Sequence, residues 1–389
     1  MGEWDGGPPA VGGPTACGVP VEGEATAGLC KTFVMAPTDD PPNSSQVGFG
    51  AGGAPWVEVP AVTLDGDLPP AERFAALPAD SLDRCRELIG DLRSFLPTGV
   101  GGLALAVNAR TKGRWRKEAE ALADLLGTTW SEVLVANCTY DLALSGFACS
   151  TAALASPDGP ALARNMDWNP AGPLARASLL TETRYTDGPN GEPLTVWNAG
   201  WPGAIGVVTG QSSRGFAFAL NAVSVEGAPD LLGCPVLLFL RRVLRTARDF
   251  SDAVVRIRRE RLVCGAIVTV VGRTNAERVV VERTPRRSDV IWGEGDEPLA
   301  ATNHFRVLEA DELGADPATS VIGNSHGRLS ALTKKAPRGA VSDGGCFYAL
   351  TEPDVMQAST AQHVVCRPCE GSVRLTVPRA LLNEPSSES

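Results

Sequence analysis

Cys149 is the residue whose surroundings most clearly indicate chemistry. The dipeptide Asp158-Gly159 follows it between two short, mostly apolar runs, and such a dipeptide favours a tight hairpin because both positions tolerate positive φ. A hairpin centred there folds the chain back so that Arg164 and Asp167 come close to Cys149. The sequence therefore predicts a thiol, a guanidinium and a carboxylate at one end of a two-stranded ribbon.

The prolines on either side of the dipeptide set the expected register of this hairpin. Neither has a backbone N–H, so we expect the ladder to close at Ser156 opposite Ala161, with 157–160 as the loop. Counting back from that pair sets Cys149 opposite Trp168.

Arg164 and Asp167 present a geometric difficulty. Residues three apart lie on opposite faces of a regular strand, so both can face Cys149 only if the ribbon bulges or ends near Asn165. We expect such an irregularity, and a straight ladder through Asp167 would count against the assignment.

The residue types suit a nucleophilic cysteine, because a nearby cation lowers the thiol pKa from its usual value of roughly 8.5. The chain has only three histidines, His304, His326 and His363, and one of them would have to reach Cys149 across the fold to serve as its base. Cleavage of the chain before Cys149 offers another base, since the new α-amino group, with a pKa of about 7.7 to 8.0, can accept the thiol proton.

Several separated motifs resemble the acid ceramidase and N-acylethanolamine-hydrolysing acid amidase family of N-terminal-nucleophile hydrolases. Cys149, its hairpin and the run 164–168 look like the start of that family's mature β-subunit. The likeness extends over about 56–378, in family order, through the motifs Val57-Glu58-Val59, Val62-Thr63-Leu64-Asp65, Leu68-Pro69-Pro70, Arg73-Phe74, Gly203-Ala204-Ile205-Gly206-Val207-Val208-Thr209-Gly210, Gly215 and Leu220-Asn221.

The resemblance implies an α+β fold, a four-layer αββα sandwich with a helical N-terminal prodomain. The expected domains are a disordered Gly/Pro-rich tail at 1–54, a prodomain or α-subunit at 55–148 and a catalytic β-subunit at 149–389. Self-cleavage between Ala148 and Cys149 would separate the subunits, which are expected to stay associated. Gly146 would give the preceding linker the bent backbone that cleavage needs.

Two asparagines follow predicted strands, where each could present its amide at an open sheet edge. Asn221 ends the strand expected at 215–220, and Asn303 ends the one expected at 299–303. By resemblance, Asn221 is the family's oxyanion or amino-group asparagine and Asn303 belongs to its Thr-Asn motif, although turn capping is the simpler explanation for isolated asparagines. Arg328 resembles the family's late arginine, in surroundings that differ from the family pattern.

The resemblance also implies the remaining roles and the substrate. Arg164 would steady the thiolate and Asp167 would hold the new α-ammonium. The expected partner is a fatty-acyl amide lipid, of the ceramide or N-acylethanolamine type, met in transient contact with a membrane or micelle. Neither a metal nor an organic cofactor is expected. The alternatives are a bile-salt-hydrolase or penicillin-acylase-like amidase, disfavoured by the long segment before Cys149, and an unprocessed protein that binds lipid without catalysis.

Composition limits the other function classes. A net charge of −10 argues against nucleic-acid binding, which requires a basic surface. No apolar run approaches the roughly twenty residues of a membrane helix. The first residues lack the basic region and apolar core of a secretory signal, which favours a cytoplasmic location; a lysosomal or secreted location is expected if the given start is wrong.

The cysteines are expected to be free thiols rather than structural disulfides, because their spacing forms no dense framework. Their positions are 17, 30, 85, 138, 149, 234, 264, 346, 366 and 369. Cys366 and Cys369, with His363 nearby, have the spacing of half a zinc site, but no second pair exists to complete it. A turn that carries a cysteine is the preferred interpretation.

Hydrophobic periodicity predicts the other elements. Thr129 and Glu132 form a capping box that should begin a helix running to about Leu144. The apolar run 103–107 either packs within the prodomain or faces lipid. The remaining expected strands are 56–65, 175–185, 195–199, 204–209, 263–271, 277–283 and 290–292, and the remaining expected helices are 69–77, 81–96, 117–126, one opening at Pro235 and one around 250–257.

Overall fold

The computed structural model describes residues 56–93, 100–142, 147–168, 170–188, 191–225, 229–309, 324–339 and 341–382. The predicted tail at 1–54 and Gly146 lie outside these residues.

Two β-sheets form the centre of the protein. The six-stranded sheet has the order β1-β14-β13-β4-β3-β12, and the eight-stranded sheet has the order β11-β10-β9-β8-β7-β6-β5-β2. The strands are β1 (Trp56–Glu58), β2 (Ala61–Asp65), β3 (Phe147–Leu154), β4 (Ala161–Trp168), β5 (Leu179–Tyr185), β6 (Leu194–Gly200), β7 (Thr209–Ser212), β8 (Phe216–Asn221), β9 (Ala266–Val271), β10 (Arg278–Arg283), β11 (Ser288–Trp292), β12 (Leu299–Ala301), β13 (Thr360–Arg367) and β14 (Ser372–Pro378).

Helices cover the outer faces of both sheets. They are α1 (Pro70–Phe74), α2 (Ala79–Arg93), α3 (Val100–Arg110), α4 (Arg116–Leu126), α5 (Trp130–Ala136), α6 (Thr139–Leu142), α7 (Ala171–Ala177), α8 (Val236–Thr246), α9 (Phe250–Arg259), α10 (Ser325–Lys335), α11 (Asp343–Thr351) and α12 (Arg379–Leu382). Helices α8 and α9 pack on the eight-stranded sheet, α10 and α11 pack on the six-stranded sheet, and β3 and β4 face β8 and β9 across the middle. This is the expected αββα sandwich.

Alternating side chains along β3 and β4 build two different cores. Ala153 and Leu162 point into the space between the sheets, where they meet small residues such as Ala217 and Ala219. Their neighbours on the other face, including Ala152, pack against α10 and α11. Every residue of β4 is buried, because both faces are covered.

The β3–β4 hairpin forms as predicted, but its register is wrong by two residues. The last pair is Leu154 with Ala161, so Cys149 lies opposite Met166 instead of Trp168. The reason is that the backbone of Ser156 bonds elsewhere. Its N–H donates to Asn275 Oδ1 at 3.1 Å and its carbonyl accepts from Asn275 Nδ2 at 2.9 Å. A shift of two keeps each side chain on its predicted face.

The expected irregularity near Asn165 is also misplaced. The β3–β4 ladder is straight through Asp167 and Trp168. The register shift lies in the neighbouring strand β13, where Thr360 pairs with Asp167 and Gln362 with Met166, so that Ala361 is the extra residue. Arg164 and Asp167 therefore lie on opposite faces of β4, and the straight ladder counts against the prediction that both face Cys149.

The segment before Cys149 is mostly helical and also enters both sheets. The strand expected over 56–65 is two strands: β1 pairs with β14 in one sheet and β2 pairs with β5 in the other, because Pro60 lies where the chain crosses between them. Thr129 and Glu132 form the predicted capping box. The helix it begins ends at Ala136, short of the predicted Leu144.

Two further predicted strands are partly wrong. The first three residues of 175–185 belong to α7, and only Leu179–Tyr185 is a strand. The run 204–208 is a loop that precedes β7. Gly206 explains the second case, because an added Cβ there would lie 2.5 Å from Leu237 Cβ; the loop packs directly on α8 instead of extending the sheet. The strands predicted at 263–271 and 277–283 are present as β9 and β10, which form an antiparallel hairpin.

Candidate active site

Cys149 lies in β3 and faces the space between the sheets, with only 2% of its surface exposed. Arg164 lies on the same face of β4, opposite Thr151. Its Nη2 donates to Cys149 Sγ at 3.1 Å. The predicted pairing of a thiol with a guanidinium is therefore present, and a cation at this distance stabilises a thiolate.

Arg164 is fixed by the opposite sheet. Its Nη1 donates to Thr209 Oγ1 at 2.7 Å, and Nη2 also donates to the carbonyl of Leu220 at 3.1 Å. Thr209 begins β7 and Leu220 lies in β8. The buried guanidinium thus crosses between the sheets and has little freedom to leave the thiol.

The Ala148–Cys149 peptide is held from one side by Asn303. The backbone N–H of Cys149 donates to Asn303 Oδ1 at 3.0 Å. In a trans peptide the preceding carbonyl points the opposite way, so the Ala148 carbonyl is directed towards β4. The nitrogen that would become the new chain end is therefore already bound.

Asn303 and Arg328 hold each other in place. Arg328 Nη2 donates to Asn303 Oδ1 at 2.8 Å, and Arg328 Nη1 donates to the Cys149 carbonyl at 2.6 Å. Asn303 Nδ2 donates to the carbonyl of Ala222 at 2.8 Å. Burial lowers the pKa of Arg328, while Asp167 and Cys149 act against that shift.

The hydroxyl of Ser325 joins the end of β12 to the start of α10. It accepts from the backbone N–H of Asn303 at 2.8 Å and lies 3.0 Å from Thr302 Oγ1 and 2.7 Å from His304 Nδ1. Asn303 follows the strand and Arg328 lies in the first turn of the helix, so Ser325 fixes their relative positions.

Asn221 is buried and fully engaged, not displayed at an open sheet edge as expected. It ends β8, which lies inside the eight-stranded sheet. Its Oδ1 accepts from Thr151 Oγ1 at 2.6 Å, and its Nδ2 donates to the carbonyls of Ala301 and Thr302 at 2.9 and 3.0 Å. Asn221 Nδ2 also lies 3.5 Å from the Cys149 carbonyl oxygen. Both amide hydrogens are thus used in the uncleaved chain.

Asp167 lies on the α10 side of β4, away from the thiol and opposite Ala148. Its Oδ1 accepts from Thr360 Oγ1 at 2.5 Å, whereas its Oδ2 is buried without a hydrogen-bond partner. Burial raises the pKa of Asp167 to about 6, against the lowering effects of Arg328, Thr360 and Arg164. The site thus contains a poorly solvated carboxyl beside the residue that precedes Cys149.

None of the three histidines hydrogen-bonds Cys149. His304 bonds to Ser325 and stacks on His326 with ring centroids 3.7 Å apart. His363 is buried on β13 and bonds to Asn165 Oδ1. Burial is the main reason that the pKa of His304 falls to about 4, and it lowers the pKa of His363 as well. The structure does not provide the cysteine–histidine pair that the sequence left open.

The remaining features concern the cysteines, possible metal ligands and membrane-spanning helices. Within the described ranges, the cysteines are free thiols, and Cys369 lies in the turn between β13 and β14, as interpreted from the sequence. No group of three or more His, Cys, Asp or Glu side chains in the described residues is placed to hold a metal ion. Among the described helices, none has the length and apolarity needed to cross a bilayer.

Sequence reasoning missed the hydroxyl groups that position the larger side chains. Thr209 holds Arg164, Thr151 holds Asn221, Ser325 holds Asn303 and Thr360 holds Asp167. Thr209 and Ser325 lie within the motifs that contain or adjoin the named residues. Thr151 follows from the alternation of β3, since it shares the face of Cys149. No pattern in the sequence around Thr360 indicates its contact with Asp167, because that contact depends on the bulge in β13.

Part of the chain is similar to a known protein family. A family model described as acyl-coenzyme A:6-aminopenicillanic acid acyl-transferase matches residues 154–339. No curated protein sequence matches the chain.

Solved structures of low sequence identity are also similar. A Caenorhabditis elegans N-acylethanolamine-hydrolysing acid amidase ortholog has a TM-score of 0.46 at 19% identity, over 57% of this chain and 93% of that chain. Two variants of the conjugated bile acid hydrolase of Clostridium perfringens have TM-scores of 0.38 and 0.37 at 12% and 13% identity, each over 61% of this chain and 95% of that chain. The family model spans just under half of the chain and begins after Cys149, so over 154–339 the chain is similar to that acyl-transferase family.

Proposed function

We propose that this protein is a self-processing cysteine amidohydrolase that cuts its own chain between Ala148 and Cys149 and then hydrolyses fatty-acyl amides. One observation carries the proposal: Cys149 Sγ lies 3.1 Å from Arg164 Nη2 while the Cys149 N–H is bound by Asn303 Oδ1 at 3.0 Å. The nucleophile and the nitrogen that must leave belong to the same residue, and separate groups hold each of them.

In the first reaction, Cys149 Sγ attacks the Ala148 carbonyl carbon. The C–N bond breaks, the thiol proton passes to the leaving nitrogen, and a thioester joins Ala148 to Sγ. Water then hydrolyses the thioester and frees the thiol and a new α-amino group. Asn303 holds that nitrogen throughout, and Arg164 stabilises the sulfur while it carries negative charge.

In the second reaction, the α-amine accepts the thiol proton and the thiolate attacks the carbonyl of an acyl amide. The amine returns the proton to the leaving amine, and water releases the fatty acid from the thioester. Asp167 supports the α-ammonium with its unpartnered Oδ2. Arg328 and the amides of Asn221 and Asn303 supply the donors for the oxyanion, which requires them to leave the carbonyls that they bind in the uncleaved chain.

The substrate class rests on the sequence motifs shared with acid ceramidases and N-acylethanolamine amidases. The family match favours a second candidate, because its description is that of an acyltransferase acting on 6-aminopenicillanic acid. A thioester on Cys149 can pass its acyl group to an amine as readily as to water, and choloyl amides would follow the same chemistry. Hydrolase and acyltransferase activities would thus use the same nucleophile, and they would differ in the molecule that accepts the acyl group from Cys149.

Intact mass of the purified chain, incubated from acidic to neutral pH, tests the processing step. We expect fragments that end at Ala148 and begin at Cys149 in the wild type and none in Cys149→Ala. Cys346→Ala is the matched control, because that thiol is equally buried but lies on α11. An uncut wild-type chain at every pH would refute self-processing and favour the lipid-binding alternative.

A panel of ceramides, N-acylethanolamines and choloyl amides, with and without a second amine, tests the substrate class. We expect release of free fatty acid from the first two groups. Formation of a new amide with the added amine would instead identify the protein as an acyltransferase, while processing without turnover of any amide would refute the second reaction only.

A further inference from the structure

A basic cavity of about 220 Å³ lies away from Cys149, between the turn that joins α3 to α4 and the start of α8. Four cationic side chains line it, Arg110, Lys112, Arg114 and Arg242, with Glu260 as the one carboxylate among the lining residues. The chain as a whole has a net charge of −10, so this cluster of cations is opposite in sign to the net charge of the protein. Like charges around one cavity repel unless an anion lies between them.

Three of these cations lack a carboxylate partner in the part of the chain that the structure describes. Glu260 forms an ion pair with Arg242. Arg110 donates to the carbonyl of Gly233 at 3.3 Å, which fixes its side chain against the catalytic half without neutralising it. Lys112 and Arg114 are exposed and have no ion pair among the described residues. Among the described residues, the positive charge that lines the cavity therefore exceeds the negative charge, which favours an anionic ligand.

The turn that presents these cations has an unfavourable backbone. Lys112 has φ of 55°, a left-handed conformation that, among described non-glycine residues, only Asn324 shares. Gly113 follows with φ of 69°. A long side chain at such a position is uncommon, since asparagine or glycine fits better, and strain of this kind concentrates at ligand sites.

We propose that this cavity binds a phosphate-type oxyanion, either free phosphate or a phosphomonoester headgroup. Guanidinium and ammonium groups converging on a small cavity suit a tetrahedral anion with several acceptor oxygens. The cavity is lined by residues from both sides of the proposed cleavage point. The three cations without a described carboxylate partner precede Cys149 in the sequence, and Arg242 follows it. A bound anion would thus connect the two fragments, a consequence that rests on the proposed function, whereas anion binding itself does not.

Thermal unfolding of the uncleaved Cys149→Ala chain tests the binding. We expect phosphate to raise the melting temperature in a saturable way, beyond the effect of chloride at the same ionic strength. Adding Lys112→Gln and Arg114→Gln should weaken the apparent affinity at least roughly tenfold, because two of four cations are removed. The matched control is Arg259→Gln with Lys334→Gln, which removes the same charge from exposed positions elsewhere.

Sedimentation with vesicles distinguishes the two sources of the phosphate group. Leu231 and Leu232 are exposed beside Gly233, at 78% and 61%, so a lipid could contact both them and the cavity. Binding to phosphomonoester vesicles but not zwitterionic ones, lost in the Lys112/Arg114 variant, would identify a lipid headgroup. Stabilisation by phosphate without vesicle binding would identify a soluble anion. The proposal is overturned if phosphate acts no differently from chloride, or acts equally on the Lys112/Arg114 variant and its control.

Discussion

Asn303 Oδ1 is shared between two donors, the N–H of Cys149 and Arg328 Nη2, at 3.0 and 2.8 Å. A carbonyl oxygen has two lone pairs, so this oxygen is saturated before any cleavage occurs. Asn303 therefore fixes the Cys149 nitrogen, which would become the new chain end in the proposed cleavage, and the position of Asn303 depends in turn on Ser325, which binds its backbone N–H.

Replacement of Ser325 by alanine should slow self-cleavage. It removes the acceptor of the buried Asn303 N–H, and an unpaired buried donor costs about 1 to 3 kcal/mol, so we expect processing to slow roughly 10- to 100-fold. The rate of fragment formation by intact mass is the measurement. Ser325→Thr keeps the hydroxyl and should recover most of the rate.

His326→Ala is the control for this experiment. His326 stacks on His304 but does not bond to Ser325, so its removal should leave the rate nearly unchanged. If Ser325→Ala folds and cuts at the wild-type rate, Asn303 is positioned without the hydroxyl and the argument is wrong.

At the level of elements, the turn of the β3–β4 hairpin is clamped to the turn between β9 and β10. Asn275 bonds both backbone groups of Ser156, and Gly159, with φ of 99°, lies so close that an added Cβ would be 2.7 Å from the Arg273 carbonyl. The two sheets are thereby fastened at the end opposite to Cys149.

Asn275→Ala should destabilise the protein by about 1 to 3 kcal/mol, because it leaves the backbone N–H of Ser156 without a partner, whereas the Ser156 carbonyl keeps the N–H of Gly159. Urea unfolding in the Cys149→Ala background measures the change. Thr274→Ala, an exposed position in the same turn, is the control and should have little effect. Equal free energies of unfolding for the two variants would show that water replaces the hydrogen bonds of Asn275 without loss of stability.

The clamp also explains what the sequence could and could not predict here. The dipeptide Asp158-Gly159 is enough to predict the hairpin, and alternation assigns Cys149 and Arg164 to one face both in the predicted register and in the observed one, which differ by two residues. The register itself depends on Asn275, more than a hundred residues away, and no local pattern reveals such a partner. The same holds for Thr360, whose approach to Asp167 depends on a bulge in β13.

Elsewhere, tertiary contacts override local patterns. Asn137 ends the helix that the capping box begins, because its side chain bonds to the carbonyl of Gly203 at 3.0 Å and accepts from the N–H of Gly206 at 2.8 Å. An apolar run with helical spacing continues past this point, so periodicity alone extends the helix too far. The motifs that resemble a known family named Asn303 and Arg328, which lie beside Cys149 and which periodicity does not single out.

For the whole molecule, the segment before Cys149 is integral to both sheets. Beyond the pairing of β1 and β2, the ring of Trp56 lies 3.5 Å from that of His363, and Glu58 forms an ion pair with Arg374. We expect the two fragments to co-elute in native size-exclusion chromatography after cleavage and to separate only in denaturant. Elution of the smaller fragment on its own under native conditions would contradict this.

Two buried carboxyl groups should make the folded state depend on pH. Burial raises the pKa of Asp141 to about 7 and that of Asp167 to about 6. Their stabilisation is complete below the unfolded value of about 4, where both states are protonated, and is lost as the pH rises through 6 and 7, because the native state must then ionise a buried acid.

Asp141→Asn tests this in the Cys149→Ala background, since asparagine can still accept the hydrogen bond from the N–H of Val236. The quantity to compare is the difference in free energy of unfolding between the two chains, because His304 and His363, with lowered pKa values, act in the opposite direction below about pH 6.5. We expect the advantage of aspartate over asparagine to fall between pH 4 and 7. A constant difference would show that Asp141 does not titrate in this range.

The pairing of Ala148 with Asp167 has an electrostatic consequence for the moments after cleavage. If the chain cuts itself as proposed, hydrolysis turns Ala148 into a terminal carboxylate directly across the ladder from a second carboxyl group, while the new ammonium on Cys149 can neutralise only one of them. Where both carboxyl groups are ionised, their repulsion in this buried place favours movement of the severed end out of the sheet. The proposed cleavage would thus displace the chain end at Ala148 while β1 and β2 keep the fragment bound, and acid would reduce that displacement by protonating one of the two groups.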